Sequence, residues 1–291
     1  MINRKHMIKS ITSGIQYIGV DDVDLDLFES QYIVPEGMAY NSYVILDGKV
    51  AVMDTVDARK GEEWKAQLEE ALGGRKPDYL VVHHMEPDHS GSILALTQKY
   101  PDVVIVATAK ALVFLGQFFD GETFNTLAVK EGDTLELGAH KLQFLMAPMV
   151  HWPEVMVSFE SHDKVLFAAD AFGKFGALSK CGYFGEEDDD WACEARRYYF
   201  NICGKYGAPV QVLLKKVLPL APAVIAPLHG PSSARTSPSI STCIRPGART
   251  AWRRKASSSP ALPSMVVRWL QQRNSERSCW PRAARRWRLR T

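Results

Sequence analysis

Four side chains able to bind a metal fall within six residues: His84, Glu86, Asp88 and His89, in the run His84-Met85-Glu86-Pro87-Asp88-His89. An isolated histidine in a strand-to-helix turn is ordinarily a satisfied polar residue. Two imidazoles and two carboxylates this close supply both nitrogen and hard oxygen donors, and the cluster is read as a metal-binding loop. On an extended loop, alternation points His84, Glu86 and Asp88 to a common side. His89 points back from the first turn of a helix opened by Asp88 and Ser90. Three further candidates each follow an apolar run: His151 after Phe144–Val150, Asp170 after Val165–Ala169, and His229 after Val224–Leu228. A carboxylate placed directly after five apolar residues is costly unless it is paired or on a metal. Four histidines and three carboxylates suffice for two metal ions with one carboxylate between them.

The elements that must position these residues are short strands and amphipathic helices. Tyr43–Leu46 and Val50–Met53 flank Asp47-Gly48, a hairpin signal. Trp64, Leu68 and Leu72 have helical spacing within Lys60–Leu72. Tyr79–His83 and Val103–Ala107 are buried strands, and Ala109–Phe119 is a helix between strands. Thr134–Met146 and Val155–Ala169 are hairpin-like, the second turning at His162-Asp163. Glu194–Cys203 and Val210–Val217 are helical, and Val224–Ala226 is a last strand. Hairpins followed by alternating strands and helices imply two sheets packed between helices. Phe172, Trp152 and Tyr183 are aromatic candidates to shield the loop, although aromatics near strand ends are more often core.

The chain has 291 residues, 46% hydrophobic and 23% charged, an ordinary globular composition. It has neither a run of 18 apolar residues nor a signal-peptide pattern at its start, so no membrane span and a cytoplasmic location are expected. The five cysteines are dispersed without a CxxC pair, which suits reduced thiols. The net charge of +2 conceals a division. Residues 232–291 hold thirteen Arg, one Lys and one Glu, a net +13, with no Asp, Phe or Tyr; residues 1–231 carry −11. The two parts are treated as separate units, 1–231 and 232–291. The basic part would attract phosphates, but it holds no module for reading nucleic acid, so a nucleic-acid partner is not expected.

With its flanking text, the ligand series resembles the N-terminal domain of flavodiiron proteins, the A-type flavoprotein family. The order H-x-E-x-D-H, H, D, H is met by His84, Glu86, Asp88, His89, His151, Asp170 and His229. Met38–Tyr43, Pro148–Pro153, Ala169–Gly173 and Pro227–Pro231 fit as well. The resemblance covers about residues 30–230. It implies an α/β fold, an αββα metallo-β-lactamase-like sandwich. One iron would be held by His84, Glu86 and His151, the other by Asp88, His89 and His229, with Asp170 bridging. It further implies reduction of O2 to water or of NO to nitrous oxide, electrons from FMN in a following flavodoxin-like domain, a rubredoxin-like or other redox donor, and a homodimer. The alternative is a binuclear zinc hydrolase of the same fold, in which Glu86 would be a histidine. After Pro231 the resemblance stops, and no flavin phosphate loop is readable. The basic stretch is expected to be a disordered, out-of-frame translation of the flavodoxin domain: a one-base shift lets Lys255–Arg268 read as a strand entering such a loop, and Met265-Val266 then forces a glycine.

Overall fold

A computed structural model describes residues 9–184 and 191–234. Two sheets carry the fold. The first has seven strands, in the spatial order Lys9–Ser10, Ile15–Tyr17, Tyr43–Leu46, Val50–Met53, Tyr79–Val81, Val104–Thr108 and Asn125–Val129. The second has six, in the order Thr134–Glu136, Lys141–Met146, Met156–Glu160, Val165–Phe167, Val224–Ala226 and Ser233–Ala234. Alternation along each strand divides its side chains between two cores. Ile45, Ala51, Met53, Val81 and Val106 face Leu142, Phe144, Met156, Val165 and Phe167 between the sheets. Val44, Val52, Leu80 and Ile105 join the cluster that includes Trp64, Leu68 and Leu72 of helix Gly61–Leu72. On the second sheet Val157, Leu166 and Ile225 join the same cluster as Tyr198 and Ile202 of helix Trp191–Ile202 and Leu213 and Val217 of helix Gly207–Val217. This is the expected αββα sandwich.

Most expected elements form within one or two residues of their sequence limits. The Asp47-Gly48 hairpin pairs Leu46 with Val50, and helix Gly61–Leu72 ends on Gly73 at φ 56°, a left-handed cap that suits glycine. The helix of the ligand loop departs from expectation. It spans Pro87–Ser90 with Glu86, not Asp88, at its N-cap, because proline's fixed φ and missing N–H favour the first helical position. The body also runs past the boundary placed at 231. Ser232 is buried and donates its N–H to the Tyr183 carbonyl at 2.9 Å, and Ser233 pairs with Ile225. The expectation for the rest of the basic stretch falls on residues outside those described. Cys181 and Cys203 are buried free thiols, as expected of reduced cysteines. No helix among the described residues is long and apolar enough to cross a membrane.

Phe144 is fully buried in the inter-sheet layer. Phe144→Ala should destabilise the domain by about 3–5 kcal/mol, the cost of an unfilled aromatic cavity. A shift in the urea midpoint at unchanged m-value would show it. A loss under about 1 kcal/mol would mean that the two sheets do not share this core.

Candidate metal centre

The two sheets end together at one edge of the sandwich, and the expected residues arrive there from both. Strand Tyr79–Val81 leads to His84, and the turn Glu86–Ser90 carries Glu86, Asp88 and His89. Strands Lys141–Met146, Val165–Phe167 and Val224–Ala226 lead to His151, Asp170 and His229. All seven converge. The ligand atoms of His84, Glu86, His151 and Asp170 lie within 4.8 Å of one another, as do those of Asp88, His89 and His229.

Asp170 joins the two groups. Its Oδ2 stands 3.1 Å from His151 Nε2 and 3.4 Å from His84 Nε2, while its Oδ1 stands 3.2 Å from His89 Nε2 and 3.6 Å from His229 Nε2. Glu86 Oε2 completes the first group at 3.0 Å from His151 Nε2 and 3.2 Å from His84 Nε2. Asp88 Oδ2 completes the second at 3.2 Å from His229 Nε2 and 3.4 Å from His89 Nε2. The donor set fits cations. His89 and His229 point their Nε2 atoms at each other across 3.0 Å, and His84 and His151 across 3.4 Å. Both oxygens of Asp88 and Oδ1 of Asp170 are buried without a hydrogen-bond partner. Lone pairs crowded together this way are expensive unless a positive ion sits among them.

The surroundings fix the imidazoles, and here the sequence reading missed several residues. His84 Nδ1 meets Glu154 Oε1 at 2.7 Å, and the same oxygen accepts the Met85 N–H at 3.0 Å. His229 Nδ1 donates to the Ala39 carbonyl at 2.8 Å. Both bonds leave Nε2 free to face the centre, the usual way a ligand's tautomer is set. The stretch Met38–Tyr43 acts as a clamp on the His229 loop. Asn41 Nδ2 donates to the carbonyls of Pro227 and Gly230 at 2.8 and 2.7 Å, and Tyr43 donates its hydroxyl to Pro227 O at 2.8 Å. Beneath the loop, Asp54 accepts His83 N–H at 2.7 Å and meets His83 Nδ1 at 2.6 Å, while His83 Nε2 meets Ser158 Oγ at 2.8 Å. This buried chain ties the first sheet to the second next to His84. Asp54, Met149, Ala169 and Phe172 all have positive φ, and the last two flank Asp170. Such backbone persists only where its surroundings enforce it.

Of the aromatic candidates, Trp152 packs edge-on to His84 at 5.1 Å, Phe172 joins the outer core, and Tyr183 packs on Tyr17 instead. Phe28 and Tyr198, not foreseen, stand 5.2 and 5.7 Å from the His229 ring. Glu29 was also missed. Burial, then the negative charge of Glu86, pushes its carboxyl up to about 7.

The charges are strongly coupled. Burial disfavours the charge of His89, yet Asp88 and Asp170 raise it to about 9; burial likewise opposes His151, which Asp170 and Glu86 raise to about 9. Burial opposes ionisation of Glu86, but His151 and His84 hold it down at about 2. Without metal, protons therefore take the place of cations. Raised histidine values stabilise the fold fully below the ordinary value of 6.5 and cease to do so as pH rises through about 9. The lowered value of Glu86 stabilises above its ordinary 4.5 and is lost as pH falls toward 2. Metal-free chain should therefore lose stability between pH 6.5 and 9, whereas metal-loaded chain, whose histidines carry no protons to lose, should stay nearly level there. Parallel urea titrations across that window would give a falling slope only without metal; equal slopes would refute the coupling. Glu154→Gln should weaken metal affinity by about ten- to a hundredfold, the usual effect of losing the partner that orients a ligand. Competition with a chelator measures it, and an unchanged affinity would remove Glu154 from that role.

The chain resembles several known proteins. Over 226 residues the chain is 34% identical to the nitric oxide reductase of Moorella thermoacetica, covering 76% of this chain and 56% of the relative. The crystal structure of the flavodiiron protein from Giardia intestinalis superposes with a TM-score of 0.77 at 27% identity, over 83% of this chain and 58% of that one. Rubredoxin oxygen:oxidoreductase from Desulfovibrio gigas does so with a TM-score of 0.77 at 28% identity, over 83% and 61%. The chain spans between about a third and a little over half the length of the first curated relatives it matches. The family model described as ODP family beta lactamase matches residues 38–230, well over half of the chain, and the chain belongs to that family.

Proposed function

We propose that His84, Glu86, His151 and Asp170 hold one iron ion, that Asp88, His89, His229 and the same Asp170 hold a second, and that residues 1–231 are the metal-binding unit of an oxidoreductase that reduces O2 to water or NO to nitrous oxide. The observation that carries the reading is the division of one buried carboxylate, Asp170, between two half-sites. The names of the relatives, a nitric oxide reductase and a rubredoxin oxygen:oxidoreductase, support the same chemistry. This reading brings with it FMN, a rubredoxin-like donor and a homodimer.

An iron pair would supply the two electrons that reduction of two NO to nitrous oxide takes; the four that carry O2 to water would need two more from FMN. The chain's own residues supply the surroundings. Three carboxylates with four neutral imidazoles give the centre a charge of −3, which offsets most of two divalent cations. Glu86 adds a hard oxygen where a histidine would favour zinc. Glu154 and Ala39 hold the His84 and His229 rings so that Nε2 faces inward. Trp152, Phe28 and Tyr198 pack against those rings and limit water behind them.

Anaerobically loaded chain should carry two irons and, once chemically reduced, consume O2 or NO in a single turnover. Asp170→Asn should lower iron content and abolish that turnover; a variant with both irons and the parent rate would defeat the bridging assignment. Glu86→His should shift the metal content toward zinc when both metals are offered. An unchanged iron-to-zinc ratio would show that Glu86 does not set metal choice.

A further inference from the structure

A second group of ligating side chains lies at the other end of the strand that leads to His151. His140 directly precedes strand Lys141–Met146, Glu160 closes strand Met156–Glu160, and Asp163 sits in the turn before Val165–Phe167. Leu142 pairs with Glu160 across the ladder, and Ser161 N–H bonds the Lys141 carbonyl at 3.1 Å, so backbone pairing brings the three residues together. One ligand atom from each of His140, Glu160 and Asp163 lies within 4.8 Å of the others.

The group is built rather than incidental. His140 is 5% exposed and Glu160 is fully buried. His140 is held from two sides: its N–H donates to Asp47 Oδ2 at 2.6 Å, and its Nε2 abuts Gly14, where any Cβ would collide with it. The ring thus presents Nδ1 to the carboxylates. Nδ1 stands 3.2 Å from Glu160 Oε1, yet the two are not aligned as a hydrogen bond, and Nδ1 is buried without a partner. Glu160 is oriented by the N–H groups of His162 and Asp163, at 2.6 and 2.8 Å on its two oxygens; each oxygen keeps a lone pair. Asp163 Oδ2 is also buried without a partner. Two carboxylates and an inward-facing imidazole nitrogen in so small a volume have the chemistry of a cation site, since an uncompensated charge there is costly.

We propose that His140 Nδ1, Glu160 and Asp163 bind a divalent transition-metal ion such as zinc, separate from the iron centre, with solvent completing the coordination. The exposed His162, whose ring stands 5.0 Å from that of His140, is placed to add a second imidazole. Such an ion would be structural: it would fasten the hairpin corner of the second sheet, which Asp47 already links to the first.

The test is equilibrium dialysis of iron-loaded chain against buffered zinc, with elemental analysis of both metals. The expected result is one zinc per chain with iron content unchanged, and a raised melting temperature. Asp163→Asn, isosteric and only half-buried, should keep its iron and its circular dichroism. Losing an orienting partner alone weakens a metal site by about ten- to a hundredfold, so losing a direct ligand should weaken zinc binding at least that much and remove the thermal shift. Three results would overturn the proposal: no zinc beyond that exchanged for iron, equal zinc uptake in the two proteins, or loss of iron together with zinc in the variant.

Discussion

One carboxylate organises this molecule. Asp170 is buried at the meeting edge of the two sheets, with an imidazole pair facing each of its oxygens. Moving one ionised group out of water is expensive, and three carboxylates in one place would be prohibitive without positive charge to compensate them. The surrounding structure can be understood as the means of providing it. Strand ends fix the approach directions, the chain Asp54–His83–Ser158 ties the sheets beneath the loop, and the Met38–Tyr43 clamp holds the last ligand in place. The positive φ values around Asp170 show how closely the backbone is bent to that purpose.

The candidate ligands were readable in the sequence because four crowd into six residues and the other three stand at the ends of apolar runs, where a rigid strand delivers a side chain to a fixed point. The parts that aim them were not. Glu154 reads as a polar residue in a turn, since its value lies in reaching His84 seventy positions away. Ala39 contributes a backbone carbonyl, which no side-chain pattern records. Asn41 and Tyr43 could be quoted as a motif, but their bonds to Pro227 and Gly230 become visible only when distant segments meet. Asp88 has the residue type of a helix cap, yet Pro87 moved the helix start and freed Asp88 to face the centre.

The fold was legible to a similar degree and for similar reasons. Strong apolar periodicity gave the central strands and the helices Gly61–Leu72 and Ala109–Phe118. The two- and three-residue strands before Tyr43 were missed because such short pieces carry no period. Strand Asn125–Val129 was missed because four of its five residues are exposed, so its parallel pairing with Val104–Thr108 leaves little hydrophobic signal. The cluster of His140, Glu160 and Asp163 was invisible for another reason: antiparallel pairing, not sequence spacing, makes those residues neighbours.

The clamp between Asn41 and the His229 loop spans almost the whole described chain, and this bears on how the protein is born. A ribosome releases the N-terminal sheet first. When His84, Glu86, Asp88 and His89 emerge, they have neither the bridging carboxylate nor their partner imidazoles. Until Asp170 and His229 follow, the nascent loop is an incomplete chelator, open to whichever cation is abundant. The centre cannot close before the second sheet exists, because Asp170 and His229 stand at the ends of its strands. On the proposed assignment, metal identity would then depend partly on timing, through the order in which the halves of the cage leave the ribosome.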